Sequence, residues 1–193
     1  MIIGLTGPTG AGKSEASNYL KSKGFVIIDA DKLVHNMYIN CDICIKAIGL
    51  NFPSVIRNGI VDRKKLADIV FSDKKQLQKL NEVVNPYIIA QLRQKIEKFK
   101  FENIILDAPT LFESGADSLC DKTIALICNE KIRLNRIISR DGLSKNDSIF
   151  RINSQPKDDF YIKHASITII NDNSIDRLKS ELDSAINAWI NLD

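Results

Sequence analysis

The residues with the clearest chemical potential form a glycine-rich segment near the amino end, Gly7-Pro-Thr-Gly-Ala-Gly-Lys-Ser14. The segment fits the pattern G-x-x-x-x-G-K-[ST], in which backbone N–H groups surround nucleotide phosphates at the start of a helix. Lys13 would place its charge on the β- and γ-phosphates, and the Ser14 hydroxyl would bind Mg²⁺. We therefore predict binding of a nucleoside triphosphate with Mg²⁺, and a chance glycine-rich turn is the alternative.

A second group of polar residues, Asp29-Ala-Asp31, follows a predicted strand. The carboxyl ends of parallel strands face the ligand, so these carboxylates should lie beside the phosphates. Asp31 indicates an alcohol acceptor, because a carboxylate there could take the proton of a substrate hydroxyl. The alternative is that either aspartate caps the next helix. Asp107, at the end of another predicted strand, either supports the Mg²⁺ water shell or is an ordinary polar strand end.

Basic residues gather in the second half of the chain: Lys131, Arg133, Arg136, Arg140 and Arg151. Arg136 and Arg140 are four residues apart and share a helix face. Arginine is suited to stabilise the charge that spreads over the oxygens of a transferred phosphoryl group. The polar block that follows would be a lid that closes over the nucleotide and excludes water. A solvated helix face is the alternative for each arginine, above all for Arg133.

Short apolar runs alternate with helical patterns and predict the elements that position these residues. We expect strands at 2–6, 25–29, 103–108, 122–128 and 166–170, with helices at about 13–23, 130–141 and from 174. Asn85-Pro86 is expected to end one helix and begin another. The pattern predicts an α/β fold of the P-loop NTPase type, a doubly wound five-stranded parallel sheet with a helical insertion and a lid.

Composition and charge exclude several other classes of protein. The 193 residues are 44% hydrophobic and 26% charged, as is ordinary for a soluble domain. Lys and Arg number 27 and Asp and Glu 24, and the net charge of +3 is too small to indicate non-specific nucleic-acid binding. No apolar run is long enough to span a membrane, and the amino end lacks a signal-peptide pattern. We therefore expect a cytoplasmic protein.

The remaining motifs narrow the activity to a small kinase. The chain contains neither N-K-x-D nor D-x-x-G, with which signalling GTPases recognise guanine and the γ-phosphate. A non-enzymatic P-loop module that senses nucleotide or binds nucleic acid is an alternative, but it would need a clustered basic face. The spacing of Cys41, Cys44, Cys120 and Cys128 favours reduced thiols over a zinc or redox site.

Several segments, in this order, resemble the dephospho-CoA kinase family over nearly the whole chain. Besides the phosphate loop they are Asp29-Ala-Asp31, Leu111-Phe-Glu113, Arg140-Asp-Gly-Leu-Ser144 and Ile170-Asn171. The resemblance implies transfer of the γ-phosphoryl group of ATP to the ribose 3′-hydroxyl of dephospho-CoA, the last step of coenzyme A synthesis. We also expect use of Mg²⁺, no nucleic-acid or membrane partner, and a monomer or weak homo-oligomer. A kinase for a nucleoside or sugar hydroxyl is the alternative.

The resemblance further implies roles for individual residues. Asp31 would be the catalytic base, with Lys13 and Arg140 also catalytic, and Arg63 and Leu111 would join Asp31 in binding the acceptor. Asn171 would border the adenine, and the full ATP site would comprise Gly10, Ala11, Gly12, Lys13, Ser14, Glu15, Arg140 and Asn171. The implied architecture is a core of residues 1–30, 101–141 and 165–193, an acceptor-binding insertion at about 31–100 and a lid at about 142–164.

Overall fold

Helices and strands alternate along the chain in the order expected for an α/β fold. The computed structural model describes residues 1–190, so the last three residues of the predicted core lie outside the described residues. The elements are β1 (Ile2–Thr6), α1 (Lys13–Ser22), β2 (Val26–Asp29), α2 (Ala30–Asn40), α3 (Asp42–Asn51), β3 (Ile56–Arg57), β4 (Ile60–Val61), α4 (Arg63–Ser72), α5 (Lys74–Glu97), β5 (Ile104–Asp107), β6 (Lys122–Ile127), α6 (Glu130–Asp141), α7 (Lys145–Asn153), α8 (Asp158–His164), β7 (Ile167–Ile170) and α9 (Ile175–Ile190).

Five of the strands form one parallel sheet in the order β2-β5-β1-β6-β7. The first strand of the chain therefore lies in the centre, and strands are added on both of its sides, which makes the sheet doubly wound. The register places Asp29 of β2 directly beside Asp107 of β5, and Asp107 beside Leu5 of β1. Three strand ends that carry polar residues thus meet at one edge of the sheet, next to the phosphate loop.

Each face of the sheet packs against a different set of helices. Strand residues point alternately to the two faces, so Ile3 and Leu5 lie in one core with α1 and α9, where Leu20 and Leu182 are fully buried. Ile104 and Leu106 of β5 face the other core, which is built from α2 to α5. The second core joins the insertion firmly to the sheet, because buried residues of all four helices belong to it.

The insertion contains a small hairpin that the apolar pattern did not predict. Strands β3 and β4 pair antiparallel and are two residues long, so neither shows a periodicity. Asn58 and Gly59, which join them, have φ of 52° and 78°. Positive φ at both positions is what a two-residue hairpin turn requires, and Asn-Gly is its commonest sequence. That dipeptide was the signal by which the hairpin could have been found.

The expected helix break at Pro86 is wrong. Helix α5 runs without interruption from Lys74 to Glu97, with Pro86 inside it. Proline removes one helical hydrogen bond there. The loss is offset because Leu80, Val84, Ile88 and Leu92, spaced four residues apart, bury one side of the helix in the core. Packing of this apolar face outweighs the local cost of the proline.

The predicted lid, residues 142–164, has two helices with different surroundings. Helix α7 ends at Asn153, and Arg151 and the following Gln155 line the central cavity. Helix α8 instead packs on β6 and β7, where Tyr161 is 1% exposed and Phe160 contacts Phe112. Within the predicted lid, it is therefore the part up to Gln155 that reaches the central cavity. No helix within residues 1–190 has the length and apolarity that crossing a membrane requires.

Candidate active site

A cavity of about 1170 Å³ opens at the carboxyl ends of β1, β2 and β5. The predicted site residues that line it are Gly10, Gly12, Lys13, Ser14, Glu15, Asp31, Arg63, Arg140 and Asn171. Ala11 and Leu111 are fully buried and do not line it. The structure thus brings residues from opposite ends of the chain into one cleft large enough for a nucleotide and a second small molecule.

The phosphate loop ends where α1 begins, at Gly12 and Lys13. Gly12 has φ of 102°, and a Cβ there would collide with the side-chain amide of Asn171. Glycine is therefore required both by the backbone angle and by the close approach. Glu15 lies exposed in the first turn of α1, where a carboxylate interacts favourably with the helix dipole. The first residues of this helix line the cavity, so the helix N-terminus, where an anion binds favourably, lies at the cavity.

The Lys13 ammonium lies across the phosphate loop. Its Nζ donates to the carbonyl oxygen of Gly7 at 2.6 Å. Burial lowers the pKa of Lys13, and the carboxylates of Asp107 and Asp31 act in the opposite direction. The lysine therefore carries a partly desolvated charge close to two carboxylates, and such a charge interacts strongly with an arriving phosphate.

The structure separates the roles of the two aspartates after β2. Asp29 is the N-cap of α2, since its side chain accepts a hydrogen bond from the Lys32 amide at 2.9 Å. Asp31 lies inside the first turn of the helix and makes no capping bond. Burial raises the pKa of Asp31, repulsion from Asp29 adds to this, and Lys13 and Arg63 oppose it. Asp31 is thus the aspartate left free for chemistry in the cavity.

Asp107 forms part of the same electrostatic group. Its Oδ2 accepts a hydrogen bond from the Ser17 hydroxyl at 2.5 Å, which holds the carboxylate against α1. Burial raises the pKa of Asp107, while the Ser17 hydrogen bond and Lys13 lower it. The strand-end position predicted for Asp107 is confirmed, and its carboxylate lines the cavity.

The residues present fit a Mg²⁺ ion that arrives with the nucleotide. Within residues 1–190 no group of three or more His, Cys, Asp or Glu side chains is placed to hold a metal by itself. Mg²⁺ in kinases keeps several waters and is bound by one or two protein groups together with substrate phosphates. Ser14 and Asp107 both line the cavity and supply such oxygen donors near Lys13.

His35 is a cavity residue that the sequence analysis missed. It lies four residues after Asp31 on α2, and its Nδ1 is 2.7 Å from the NH1 atom of Arg63. A guanidinium can only donate, so Nδ1 is the acceptor of this hydrogen bond. The i, i+4 spacing from Asp31 was the available signal. His35 thereby fixes the position of Arg63 in the cavity.

The basic residues of α6 differ in their exposure and in their hydrogen-bond partners. Arg133, for which a solvated face was most expected, is instead 5% exposed, and its Nε donates to the Thr9 carbonyl at 3.0 Å. The solvated interpretation of Arg133 is therefore wrong. Arg140 lines the cavity and pairs through two nitrogens with Asp141, at 2.7 and 2.9 Å. Arg151 binds the same carboxylate at 2.8 Å, so Asp141 holds both exposed arginines near the cleft.

Asn171 lies at the end of β7, where its side chain is almost fully buried. Its Nδ2 donates to the Ala11 carbonyl at 2.8 Å, and its backbone N–H donates to Ile127. The side chain is therefore engaged with the phosphate loop. No observation of the structure tests the predicted contact of Asn171 with adenine, which stays a prediction.

Leu111 belongs to the hydrophobic core. It is fully buried, and its side chain fills the space above Gly4, which has no Cβ. A side chain in this position has no surface to offer an acceptor molecule. We therefore leave Leu111 out of the acceptor site.

Leu111→Ala is expected to lower the free energy of unfolding by about 2–5 kcal/mol, because it removes buried methyl groups and leaves a cavity. Denaturant unfolding measures this change. Leu50→Ala is the matched control, since Leu50 is 84% exposed and its loss should change stability by less than about 0.5 kcal/mol. A raised KM for the acceptor in the folded Leu111→Ala protein would return Leu111 to the acceptor site.

Comparison with known proteins shows which family the chain resembles. A family model described as dephospho-CoA kinase matches residues 1–177. A dephospho-CoA kinase from Fusobacterium nucleatum is 39% identical over 179 residues, which are 92% of this chain and 93% of that protein. A dephospho-CoA kinase from Carboxydothermus hydrogenoformans is 32% identical over 193 residues, covering 97% of this chain and 94% of that one.

Solved structures give the same result. A Thermus thermophilus protein superposes with a TM-score of 0.83 at 29% identity, with 97% of both chains covered. Dephospho-CoA kinase from Campylobacter jejuni superposes with a TM-score of 0.68 at 28% identity, covering 96% of this chain and 95% of that chain. A shikimate kinase from Bacteroides thetaiotaomicron, with a TM-score of 0.57 at 16% identity, shares the fold.

The doubly wound sheet, the phosphate loop and the cleft at the carboxyl edge define a P-loop kinase, a phosphotransferase that uses a nucleotide. Within this class, the chain belongs to the dephospho-CoA kinase family. The resemblance stated from the ordered motifs is confirmed, and so is the predicted fold class.

Proposed function

We propose that the chain transfers the γ-phosphoryl group of ATP to the ribose 3′-hydroxyl of dephospho-CoA, which gives coenzyme A and ADP. The observation that carries the proposal is the position of Asp31. It lies in the same cleft as Lys13, and it makes no capping bond because Asp29 caps α2. A free carboxylate beside a phosphate-binding lysine suits the activation of an alcohol acceptor.

In the proposed phosphoryl transfer, each group of the site acts on a particular part of the substrates. The phosphate loop N–H groups and Lys13 hold the triphosphate, and Asp31 takes the proton of the acceptor hydroxyl. The hydroxyl oxygen then forms its bond to the γ-phosphorus as the bond between that phosphorus and the ADP oxygen breaks. Arg140 and Arg151, at the edge of the cleft, would stabilise charge on the transferred group. Mg²⁺, held by Ser14 and the phosphates, would neutralise negative charge on the triphosphate.

Arg63 is the proposed contact for the acceptor. It lies on the insertion side of the cleft, where His35 holds its guanidinium in place. Dephospho-CoA carries a diphosphate, and arginine binds such groups in a bidentate manner. The cytoplasmic location and the monomeric or weakly oligomeric state stay predictions.

The direct test incubates the purified protein with Mg-ATP and dephospho-CoA and measures the acceptor by mass spectrometry. The expected result is a mass gain of one phosphoryl group at the ribose 3′ position. Parallel reactions with nucleosides and sugars test the alternative acceptors. ATP binding without phosphorylation of dephospho-CoA would contradict the proposal, and phosphorylation of a nucleoside instead would favour the alternative kinase.

The pH dependence of kcat tests whether Asp31 acts as the base. The acceptor proton can be taken only by the ionised carboxylate, so activity is present above the pKa of Asp31 and is lost as pH falls through it. Because burial and Asp29 raise this pKa above that of an ordinary aspartate, we expect the acidic loss of activity at a higher pH than an exposed carboxylate would give.

Asp29→Asn should move this acidic limb to lower pH, since it removes the repulsion from Asp29 while asparagine still caps the helix. Rate profiles of the wild-type and variant proteins measure the shift. An acidic limb that stays in place in the variant would show that a group other than Asp31 controls it.

A further inference from the structure

The carbonyl oxygens of three consecutive residues of the phosphate loop are bound by side chains from the far end of the chain. Arg133 Nε donates to Thr9 at 3.0 Å, Arg136 NH1 donates to Gly10 at 3.2 Å, and Asn171 Nδ2 donates to Ala11 at 2.8 Å. The donors Arg133, Arg136 and Asn171 are called the carbonyl clamp below.

The two preceding carbonyl groups are bound within the loop itself. Gly7 accepts from Lys13 Nζ at 2.6 Å, and Pro8 accepts from the Ala11 amide at 3.2 Å. Every carbonyl oxygen from residue 7 to residue 11 therefore has a donor. None of them is free to turn toward the cavity, where it would repel a phosphate.

Because of the geometry of the peptide bond, these hydrogen bonds to the carbonyl oxygens also orient the N–H groups of the loop. In a trans peptide the carbonyl oxygen of one residue and the N–H of the next point in opposite directions. Holding the Thr9 and Ala11 oxygens against the clamp therefore directs the N–H groups of Gly10 and Gly12 away from it. Within residues 1–190 these two amides, and those of Lys13 and Ser14, have no protein acceptor and are available to an anion.

Two of the three clamp residues, Arg136 and Asn171, support each other. Arg133 and Asn171 are 5% and 6% exposed. Arg136 donates through NH2 to the Asn171 carbonyl at 3.2 Å, and Asn171 is fixed to Ile127 at the end of β6 by a backbone hydrogen bond of 2.8 Å. Arg136 and Asn171 are therefore anchored at the end of β6, independently of the loop that they hold.

We propose that the carbonyl clamp preorganises the phosphate loop, so that its N–H groups already point at the phosphate positions before the nucleotide binds. Arg133, Arg136 and Asn171 act in this way as positioning residues for the triphosphate. Preorganised donors bind and stabilise charge without a reorganisation cost at the moment of binding. The inference rests on the proposed nucleotide site, and it assigns Asn171 to the phosphate tail and not to the base.

The test compares the affinity for ADP with the affinity for adenosine, which lacks phosphates. Arg136→Lys keeps the charge but cannot serve two carbonyl groups with a planar fork, and Asn171→Ala removes a neutral donor. Calorimetry should show ADP bound at least about tenfold more weakly in each variant, as expected when hydrogen bonds to a charged group lose their alignment. Adenosine binding, followed by NMR titration, should change by less than about twofold.

Lys131→Gln is the matched control, because Lys131 is an exposed cation on the same helix whose side chain has no hydrogen bond to the loop. It should bind ADP like the wild-type protein. Thermal unfolding establishes that each variant is folded at the assay temperature, and Arg136→Lys alone decides the question if Asn171→Ala does not fold.

Unchanged ADP affinity in the folded variants would overturn the clamp. An equal loss of ADP and adenosine affinity in Asn171→Ala would also overturn it, in favour of an adenine contact. Failure of the proposed function looks different, since the wild-type protein would then bind ADP but phosphorylate no dephospho-CoA.

Discussion

Asp31→Asn is expected to lower kcat by about 10²–10⁴-fold, the usual contribution of a positioned acid–base group, while ATP binds with little change. Asparagine has nearly the same shape but cannot accept the proton of the acceptor hydroxyl. Since Asp31 lies in the first turn of α2 and makes no capping bond, the helix should remain intact. Steady-state kinetics with dephospho-CoA and calorimetry with ATP measure the two effects separately.

Asp29→Asn is the matched control for this experiment, because it makes the same substitution two residues earlier. It should retain most of the wild-type kcat at neutral pH, since asparagine replaces aspartate well as an N-cap. If Asp31→Asn kept near-full kcat, Asp31 would have no role in proton transfer.

Lys13→Ala is expected to lower kcat/KM for ATP by about 10²–10³-fold, the range found when one donor aimed at developing charge is removed. The ammonium is close to Asp31 and Asp107 and lies across the phosphate loop from Gly7. Its loss removes the point charge that would meet the β- and γ-phosphates. It also removes a group that lowers the pKa of Asp31, so the acidic loss of activity should move to higher pH.

Lys21→Ala provides the comparison for Lys13, because Lys21 is an exposed cation near the other end of α1. Its kinetics should be those of the wild-type protein. A Lys13→Ala protein with unchanged ATP affinity and rate would contradict the assignment of the loop to the triphosphate.

The sheet and the phosphate loop were predictable because their signals are local. Each strand of the parallel sheet is a short apolar run, and β1 and α6 have the predicted bounds. The G-x-x-x-x-G-K-[ST] pattern lies between a strand and a helix, so it also predicts the elements on either side of it. The N-cap of α4 has an equally local signal, since the Asp62 side chain accepts a hydrogen bond from the amide of Lys65 at 3.1 Å.

The sequence could not show which of Asp29 and Asp31 caps α2 and which is left free to act as a base. Both lie at the same strand end, and the choice between cap and base depends on where α2 begins. A helix start at Ala30 makes Asp29 the cap, whereas a start at Lys32 would have made Asp31 the cap. Sequence patterns do not locate a helix end precisely enough to decide between these two starts.

The surroundings of Arg133 and Leu111 could not be predicted from the sequence for a different reason. A helical pattern shows that Arg133 and the buried Ile137 share a face, but a buried arginine needs an acceptor that the pattern does not reveal. The acceptor is the backbone of Thr9, 124 residues away. Leu111 was assigned to the acceptor by resemblance alone, and only the packing above Gly4 places it in the core.

The phosphate loop follows β1 at the start of the chain, whereas the residues of the carbonyl clamp come late in the sequence. This order has a consequence for synthesis of the protein. The loop is made first, yet the side chains that hold it are at positions 133, 136 and 171. A nascent chain on the ribosome therefore contains the whole phosphate-binding motif long before the side chains that hold it are present. The loop of a nascent chain can therefore be held in its final geometry only after residue 171 has been made.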